Sequence, residues 1–355
     1  MEALRKAIKG SSHPIELFFL GNYYPAGDEQ DLVCDVTGRI VPEGGIPLDV
    51  GVVVDNVGTL INIAEAVHGI PVTHRVLTVG GAVNKPVTVS VPIGTSVQEV
   101  IELAGGIRIR DYVIIDGGPM MGRIVEDTSS PVTKTTSGIL VLPGDLSFIK
   151  KKRRNFRADV RRAKSVCDQC FECTIVCPRY LLGHSLEPHR VMRMFFIDPD
   201  LSRYRKKETF AFLCSQCGLC DFYACPTDLS PKNIFRELRT TLVQAGVKNP
   251  HHKKLEQPRE VREGRRVSVS RLISRLGIRE YEHPAKFQNV DYEPGRVRIP
   301  LNQHIGAPSR PVVKAGDNVK KGDLIGELSG TVSTRVHASM DGRVTYVNSY
   351  IEIEK

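Results

Sequence analysis

The middle of the chain contains Cys167-Asp-Gln-Cys-Phe-Glu-Cys-Thr-Ile-Val-Cys-Pro178 and Cys214-Ser-Gln-Cys-Gly-Leu-Cys-Asp-Phe-Tyr-Ala-Cys-Pro226. In each stretch the first three cysteines follow one another with two residues between neighbours, and a fourth cysteine precedes a proline. Three thiolates at this spacing can bind one face of a cubane cluster. The fourth, which opens a helix, points toward the other cluster. The pattern therefore predicts a small helical domain with two [4Fe-4S] clusters.

This rule also divides the predicted ligands between the two clusters. One cluster takes the first three cysteines of the first stretch and the remote Cys225, and the other takes the first three of the second stretch and Cys177. The predicted metal ligands are Cys167, Cys170, Cys173, Cys177, Cys214, Cys217, Cys220 and Cys225. The second stretch has four residues before its last cysteine, where three is typical, and we expect a loop to absorb the extra residue. The alternative is two zinc sites, but zinc usually takes its four ligands as two separated pairs.

The composition is that of a globular protein with two or three domains. Of 355 residues, 41% are hydrophobic and 25% are charged, which excludes intrinsic disorder. The apolar stretches are far shorter than the roughly 20 residues that cross a bilayer. The first residues lack the features of a secretory signal. Nine cysteines in such a chain indicate a reducing compartment, so we expect a cytoplasmic protein without a transmembrane segment.

The charge of the chain is unevenly distributed. There are 49 basic and 40 acidic residues, and the basic excess is concentrated at residues 150–164 and, more weakly, at 259–279. Such runs are typical of a solvated linker. The alternative is a docking surface for an acidic redox partner or an anionic cofactor. Few aromatic residues accompany the basic ones, so the sequence predicts no nucleic-acid binding.

The segments on both sides of the cysteines carry their own patterns. Residues 57–67 predict a helix, and residues 15–20 and 52–54 predict strands. Residues 72–145 combine a hairpin, a helix and further strands, as in a β-grasp unit. Short strands between glycine turns at 295–355 predict an all-β sandwich or barrel.

These patterns together predict a multidomain α+β chain. Because the N-terminal strands lack obvious partners, we expect the first domain to be part of a larger α/β domain. The predicted ranges are 1–71 for this partial α/β domain, 72–148 for a β-grasp domain, 149–245 for an α-helical two-cluster ferredoxin-like domain, 246–294 for a loosely structured connector and 295–355 for an all-β module.

Several motifs resemble those of known redox families. Tyr24-Pro-Ala-Gly-Asp-Glu-Gln30 and two later motifs, at 41–47 and 53–60, resemble the flavin-binding subunit of respiratory complex I and the RnfC component of the Rnf electron-transport complex. Residues 299–308 and 312–325 resemble the barrel-sandwich module of that Rnf component, in which the module comes first. The domain order found here resembles the cobalamin reductase family of the propanediol-utilisation microcompartment.

This resemblance implies a flavoenzyme. It would pass electrons from NADH through FMN to a corrinoid and so supply an adenosylcobalamin-dependent diol dehydratase. It also implies a location within a bacterial microcompartment and partners such as a corrinoid adenosyltransferase. The glycine-rich loop that holds the FMN and NADH phosphates in the family would fall before Met1, so we expect a native N-terminal segment outside this sequence.

The resemblance also implies binding residues. Asp28 and Glu29 match the acidic pair beside the nicotinamide nucleotide, and Asn56 and Thr59 match residues that hold FMN. The alternative for each is a turn residue or a helix cap. The loop Asp116–Gly122 is a candidate corrinoid contact in a β-grasp family that includes corrinoid binders, with a plain structural turn as its alternative.

Two other functions remain open at this point. One is a non-catalytic iron–sulfur relay or scaffold that docks to redox partners without binding flavin. The other is a component of an Rnf-like membrane complex, against which the domain order argues. Cys34 matches neither cysteine stretch and is interpreted as a buried small apolar residue.

Overall fold

The computed structural model describes residues 2–197 and 209–355, so residues 198–208 of the predicted two-cluster domain lie outside the described residues. The chain forms two compact units. The first contains the residues up to Val54 together with Asn155–Arg275, and the second contains Asp55–Arg154 together with Leu276–Lys355. Each unit combines segments that are distant in sequence, and the five predicted domain ranges stay a prediction.

The first unit is mainly helical. Its α-helices are Glu2–Lys9, Glu29–Thr37, Phe156–Val166, Glu172–Ile175, Pro178–Leu181, Pro188–Ile197, Pro231–Gln244, Arg262–Arg265 and Val269–Leu276, the last residue of which belongs to the second unit. The core around the helix Pro231–Gln244 includes Ile234, Phe235 and Leu238, all fully buried. Several of these helices have only four residues and could not persist alone, so tertiary contacts must hold them. Among the described residues, no helix combines the length and the apolar character needed to cross a membrane.

A six-stranded sheet forms the β-grasp part of the second unit, as predicted. Its strand order is Arg123–Val125, Tyr112–Asp116, Gly138–Pro143, His74–Gly81, Val87–Pro92 and Lys286–Gln288. The helix Val97–Leu103 begins at a capping box, in which Ser96 Oγ accepts from Glu99 N at 3.2 Å and Glu99 Oε2 accepts from Ser96 N at 2.9 Å. This unit also contains the helices Val57–Val67 and Ser147–Lys152.

Two small antiparallel sheets form the predicted all-β module. One has the order Asn318–Val319, Gly342–Val347, Tyr350–Glu354 and Arg296–Pro300, and the other has the order Arg310–Pro311, Leu324–Glu327 and Val336–His337. Alternate residues such as Val297, Ile299 and Ile351 point into one shared core, as the two-residue period of a strand requires.

Three local predictions outside the cysteines had different outcomes. The helix at 57–67 is confirmed. The strands predicted at 15–20 and 52–54 are wrong, because neither segment is hydrogen-bonded to a neighbouring strand. The prediction of a loosely structured connector at 246–294 is also wrong, since this stretch carries helices and the edge strand Lys286–Gln288.

A buried ion network ties this supposed connector to the N-terminal segment. Arg262 is 4% exposed, and its two terminal nitrogens contact Asp31 at 2.7 Å and Asp35 at 2.8 Å. Asp35 also pairs with Arg266 at 2.5 Å and accepts a hydrogen bond from the Tyr23 hydroxyl at 2.6 Å. Burial raises the pKa of Asp31 to about 6 even beside Arg262. The guanidinium of Arg262 is therefore the counter-charge of Asp31, whereas Asp35 is paired with both Arg262 and Arg266.

We predict that Arg262→Ala lowers the free energy of unfolding by about 3–5 kcal/mol, because it leaves the buried Asp31 carboxylate without its counter-charge, while Asp35 keeps Arg266. Arg265→Ala, on the same helix and exposed, should change it by less than about 0.5 kcal/mol. Urea denaturation followed by circular dichroism measures both. Equal effects of the two variants would contradict a structural role for the network.

Candidate functional site

The first group of predicted ligands shares one cavity. Cys167, Cys170 and Cys173 line it together with the remote Cys225. The negative charges of the other three sulfurs are among the causes that raise the pKa of Cys173, after burial. The predicted cross-ligation therefore matches the positions of these four side chains, which we name the first quartet.

The remaining four cysteines form the second quartet. Burial raises the pKa of Cys220 well above its usual value, and the charges of Cys217, Cys214 and Cys177 add to the increase. Cys177 is likewise influenced by Cys217 and Cys214. Cys177 is therefore near the cysteines of the second stretch, and its assignment to the second cluster stays a prediction.

The extra residue of the second stretch is accommodated differently from our expectation. Cys173 lies in the α-helical turn Glu172–Ile175, whereas Cys220–Ala224 forms a π-helix. A π-turn contains one more residue than an α-turn. The helix therefore absorbs the insertion, and the expectation of a loop is wrong. Cys177 does open a helix at Pro178, whereas Cys225 is followed by a turn.

The two quartets share a hydrogen-bonding device that the sequence analysis missed. Gln169 Nε2 donates to Cys167 Sγ at 3.1 Å, and Gln216 Nε2 donates to Cys214 Sγ at 3.3 Å. Both glutamines have a positive φ, of 61° and 60°. The repeated Cys-x-Gln-Cys pattern was visible in the sequence. Hydrogen bonds to sulfur are one of the means by which proteins tune cluster potentials.

Each quartet contains a buried thiol that is a poor acid. Burial raises the pKa of Cys173 and that of Cys217 to about 12. Thiolates are the ligands of iron, so cluster assembly must displace protons from these sulfurs. Within the described residues, no three His, Cys, Asp or Glu side chains converge on a single metal ion. In a cubane each thiolate binds its own iron atom, and the four sulfurs therefore stay apart.

Asp28, one of the predicted nucleotide-binding residues, lies beside the second quartet. Its carboxylate caps the helix Glu29–Thr37 by accepting from Gln30 N and Asp31 N. It also accepts hydrogen bonds from both terminal nitrogens of Arg179, at 2.5 and 3.1 Å. Arg179 is only 8% exposed. Arg179 follows Cys177 by two residues, and its charge acts on the thiol of Cys214.

The other predicted nucleotide-binding residues are exposed. Glu29 lies in the first turn of its helix. Asn56 caps the helix Val57–Val67 by accepting from Gly58 N at 2.9 Å, and Thr59 lies in the first turn of that helix. Asp28 and Glu29 belong to the first compact unit, and Asn56 and Thr59 belong to the second. Their roles toward NADH and FMN stay predictions.

The loop Asp116–Gly122 is held by a lysine of the predicted basic run. Lys152 Nζ donates to the carbonyls of Met120 and Gly122, at 3.2 and 2.9 Å, and Lys151 is buried. This part of the run is neither a solvated linker nor a free docking surface. Met121 in the loop is 56% exposed.

Comparison with protein families assigns most of the chain. Residues 1–65 match the Nuo51 FMN-binding domain and 76–124 match the SLBB domain. Residues 166–230 match a 4Fe-4S dicluster domain, and 279–355 match the RnfC barrel sandwich hybrid domain. The predicted fold classes are therefore confirmed, as are the predicted iron–sulfur and FMN domains.

Curated relatives extend over nearly the whole chain. Cobalamin reductase PduS of Citrobacter freundii is 40% identical over 94% of this chain and 73% of its own length. Cobalamin reductase PduS of Salmonella typhimurium is 39% identical over 94% and 74%. A component of the proton-translocating ferredoxin:NAD(+) oxidoreductase complex of Clostridium ljungdahlii is 40% identical over 51% of this chain and 37% of its own length.

We predict that cysteine substitutions remove clusters in a non-additive pattern. Cys167→Ala and Cys225→Ala should each lower the iron content from about eight to about four atoms per chain, because both sulfurs serve one cluster. The double variant C167A/C225A should lose no more, whereas C167A/C177A should lose both clusters. Iron analysis of anaerobically reconstituted protein measures this, with Cys34→Ala as the control that retains full iron. Additive loss in C167A/C225A would refute the cross-ligation.

We also predict that the Asp28–Arg179 pair tunes the potential of the cluster in the second quartet. A reduced cluster carries one more negative charge. Arg179→Gln should therefore lower its midpoint potential and Asp28→Asn should raise it, each by the order of tens of millivolts. The double variant should return toward the wild-type value. Redox titration with paramagnetic resonance in a C225A background observes this cluster alone. Shifts of the same sign in both single variants would contradict the prediction.

Proposed function

We propose, because this chain belongs to the cobalamin reductase family, that it transfers electrons from NADH through FMN and two [4Fe-4S] clusters to a corrinoid. The chain is an electron-transfer oxidoreductase, since it combines an FMN-binding domain with a 4Fe-4S dicluster domain. The proposed acceptor is supported by the name of its relatives, cobalamin reductase. The proposed donor is supported by similarity to a component of a ferredoxin:NAD(+) oxidoreductase.

The observation that carries the proposal is the pairing of Cys225 with the first stretch and of Cys177 with the second. Each cysteine motif gives its fourth cysteine to the other cluster. The two clusters therefore lie close together, because each motif contributes to both sites. Such a pair suits the transfer of single electrons between a two-electron donor and a one-electron acceptor. We therefore assign all eight cysteines of the two quartets as the cluster ligands.

The surrounding residues have distinct tasks in this proposal. When bound, FMN exchanges two electrons with a nicotinamide and each cluster carries one. Gln169 and Gln216 donate hydrogen bonds to ligand sulfurs and so favour added negative charge there. Arg179 places a buried positive charge beside the second quartet, and Asp28 balances it. Burial of most of the thiols keeps water from the sulfurs.

The residues proposed to bind the nicotinamide nucleotide, FMN and the corrinoid belong to less specific motifs than the cysteines do. We propose Asp28 and Glu29 for the nicotinamide nucleotide, and Asn56 and Thr59 for FMN. The loop Asp116–Gly122 is a candidate corrinoid contact because its backbone is held by Lys152 while Met121 faces solvent. The resemblance seen in the sequence extends the proposal to a microcompartment and to a corrinoid adenosyltransferase as partner.

One observation favours the alternative of a relay or scaffold without flavin. No residue of the helix Val57–Val67, which carries Thr59 and follows Asn56, is buried. Its apolar residues, including Leu60 and Ile61, are about half exposed. Exposed apolar patches of this kind mark interaction surfaces. A relay would receive its electrons from a partner instead of from its own FMN.

The two functions are distinguished by reduction with NADH. We predict that anaerobically reconstituted protein shows cluster reduction by NADH only after FMN is added, and that it then reduces a cob(II)alamin substrate. C167A/C177A should lose corrinoid reduction to the level without protein, and Cys34→Ala should retain it. Clusters that are reduced by dithionite but not by NADH and FMN would overturn the proposed enzyme in favour of the relay.

A further inference from the structure

The two quartets differ in their access to solvent. Of the eight cysteines, all of which lie in the described residues, only Cys170 is exposed. Cys167 of the first quartet and Cys214 of the second are half-buried, and the other five are buried, so the difference lies at Cys170. Electron transfer between proteins weakens steeply with distance. A protein that exchanges electrons with this chain should therefore approach the side of the first quartet at Cys170.

A row of basic side chains lies next to this edge. Arg157, Arg161 and Lys164 recur at intervals of four and three residues on the helix Phe156–Val166, and all three are exposed. We name these three side chains the basic stripe. The helix ends directly at Cys167. At 1.5 Å per residue, the stripe begins about 15 Å from Cys167 along the helix axis and ends about 5 Å from it.

The orientation of this helix is held by its opposite face. Asp159, which is buried, accepts a hydrogen bond from Asn233 Nδ2 at 2.9 Å. Arg162 reaches Asp228 at 3.7 Å and the carbonyl of Thr227 at 3.4 Å. Thr227 Oγ1 in turn lies 3.4 Å from Cys225 Sγ. The basic stripe therefore occupies a defined position relative to the first quartet.

Two exposed acidic residues, Asp168 and Glu172, also lie near this edge. Asp168 accepts a hydrogen bond from Cys170 N at 3.3 Å. Glu172 lies in the first turn of the helix Glu172–Ile175, where a negative charge complements the helix dipole. The three cations of the stripe point outward and match a surface that carries carboxylates.

We propose that the basic stripe is the docking surface for an acidic one-electron carrier protein, which exchanges electrons with the cluster at the Cys170 edge. The inference rests on the proposed electron-transfer role but requires neither NADH nor a corrinoid. One electron leaves the reduced cluster, which returns to its oxidised state, and reduces the metal centre of the carrier. No proton or further reactant is needed. Charge complementarity of this kind increases association rates and makes them depend on salt.

The test uses two haem proteins of opposite charge, acidic cytochrome b5 and basic cytochrome c, with the full-length holoprotein. Surface plasmon resonance measures binding of the oxidised proteins at low and high salt. Stopped-flow absorbance then measures haem reduction by protein whose clusters were reduced with limiting dithionite. The variant R157E/R161E/K164E is compared with K248E/K253E/K254E. The control changes the net charge by the same amount at exposed lysines outside the cysteine segments.

We expect the wild-type protein to bind cytochrome b5 at low salt and expect this binding to disappear at high salt. R157E/R161E/K164E should weaken binding and slow haem reduction by about tenfold or more. It should also gain affinity for cytochrome c. The control variant should change the affinity for either cytochrome and the rate of haem reduction by much less. Equal effects of both variants, or wild-type binding that does not depend on salt, would overturn the proposal. So would binding of anionic phosphatidylserine vesicles through the stripe without binding of cytochrome b5.

Failure of this proposal can be told apart from failure of the proposed function. A protein that holds no clusters shows no paramagnetic signal after dithionite. This signal is measured before both the NADH assay and the cytochrome assay. If the protein reduces a corrinoid with NADH but R157E/R161E/K164E leaves cytochrome b5 binding unchanged, the proposed function stands and only the docking proposal is refuted.

Discussion

The first compact unit depends on thiols that are buried but must become charged. Burial raises the pKa of Cys173 and Cys217 to about 12, so without metal these sulfurs are neutral thiols within a small core. Cys177 and Cys225 belong to the same apolar cluster as Phe235 and Leu238. Their helices have few turns, and iron would connect segments that secondary structure alone cannot hold. Cluster binding and folding of this unit are therefore expected to be coupled.

Ion pairs join the N-terminal segment to the cluster region. Asp28 contacts Arg179, and Asp31 and Asp35 contact Arg262. All three carboxylates lie on or at the start of the helix Glu29–Thr37. This segment belongs to the match with the FMN-binding domain, and yet its buried charges are neutralised by residues of the cluster unit. Loss of one guanidinium would leave a buried charge without a partner, which costs more than the pair itself gains.

Local sequence patterns predicted the features that depend on neighbouring residues. Cysteine spacing predicted which cysteines lie near one another, and hydrophobic periodicity predicted the helix at 57–67. The strand at 15–20 was wrong because a strand also needs a partner, which β-propensity does not report. Nothing in the sequence around Arg262 indicates carboxylates more than two hundred residues away. Likewise, a run of basic residues does not reveal that Lys152 donates to the carbonyls of Met120 and Gly122.

The two quartets are not equivalent in charge or in access to solvent. The second quartet lies beside Asp28, in the segment that matches the FMN-binding domain, and three of its cysteines are buried. The first quartet reaches solvent at Cys170. Arg179 stabilises added negative charge only where its field is strong, which is at the second quartet. Exposure would therefore let an electron leave through the first cluster, whereas Arg179 favours the electron on the second, so that the two features act in opposite directions on the transfer between the clusters.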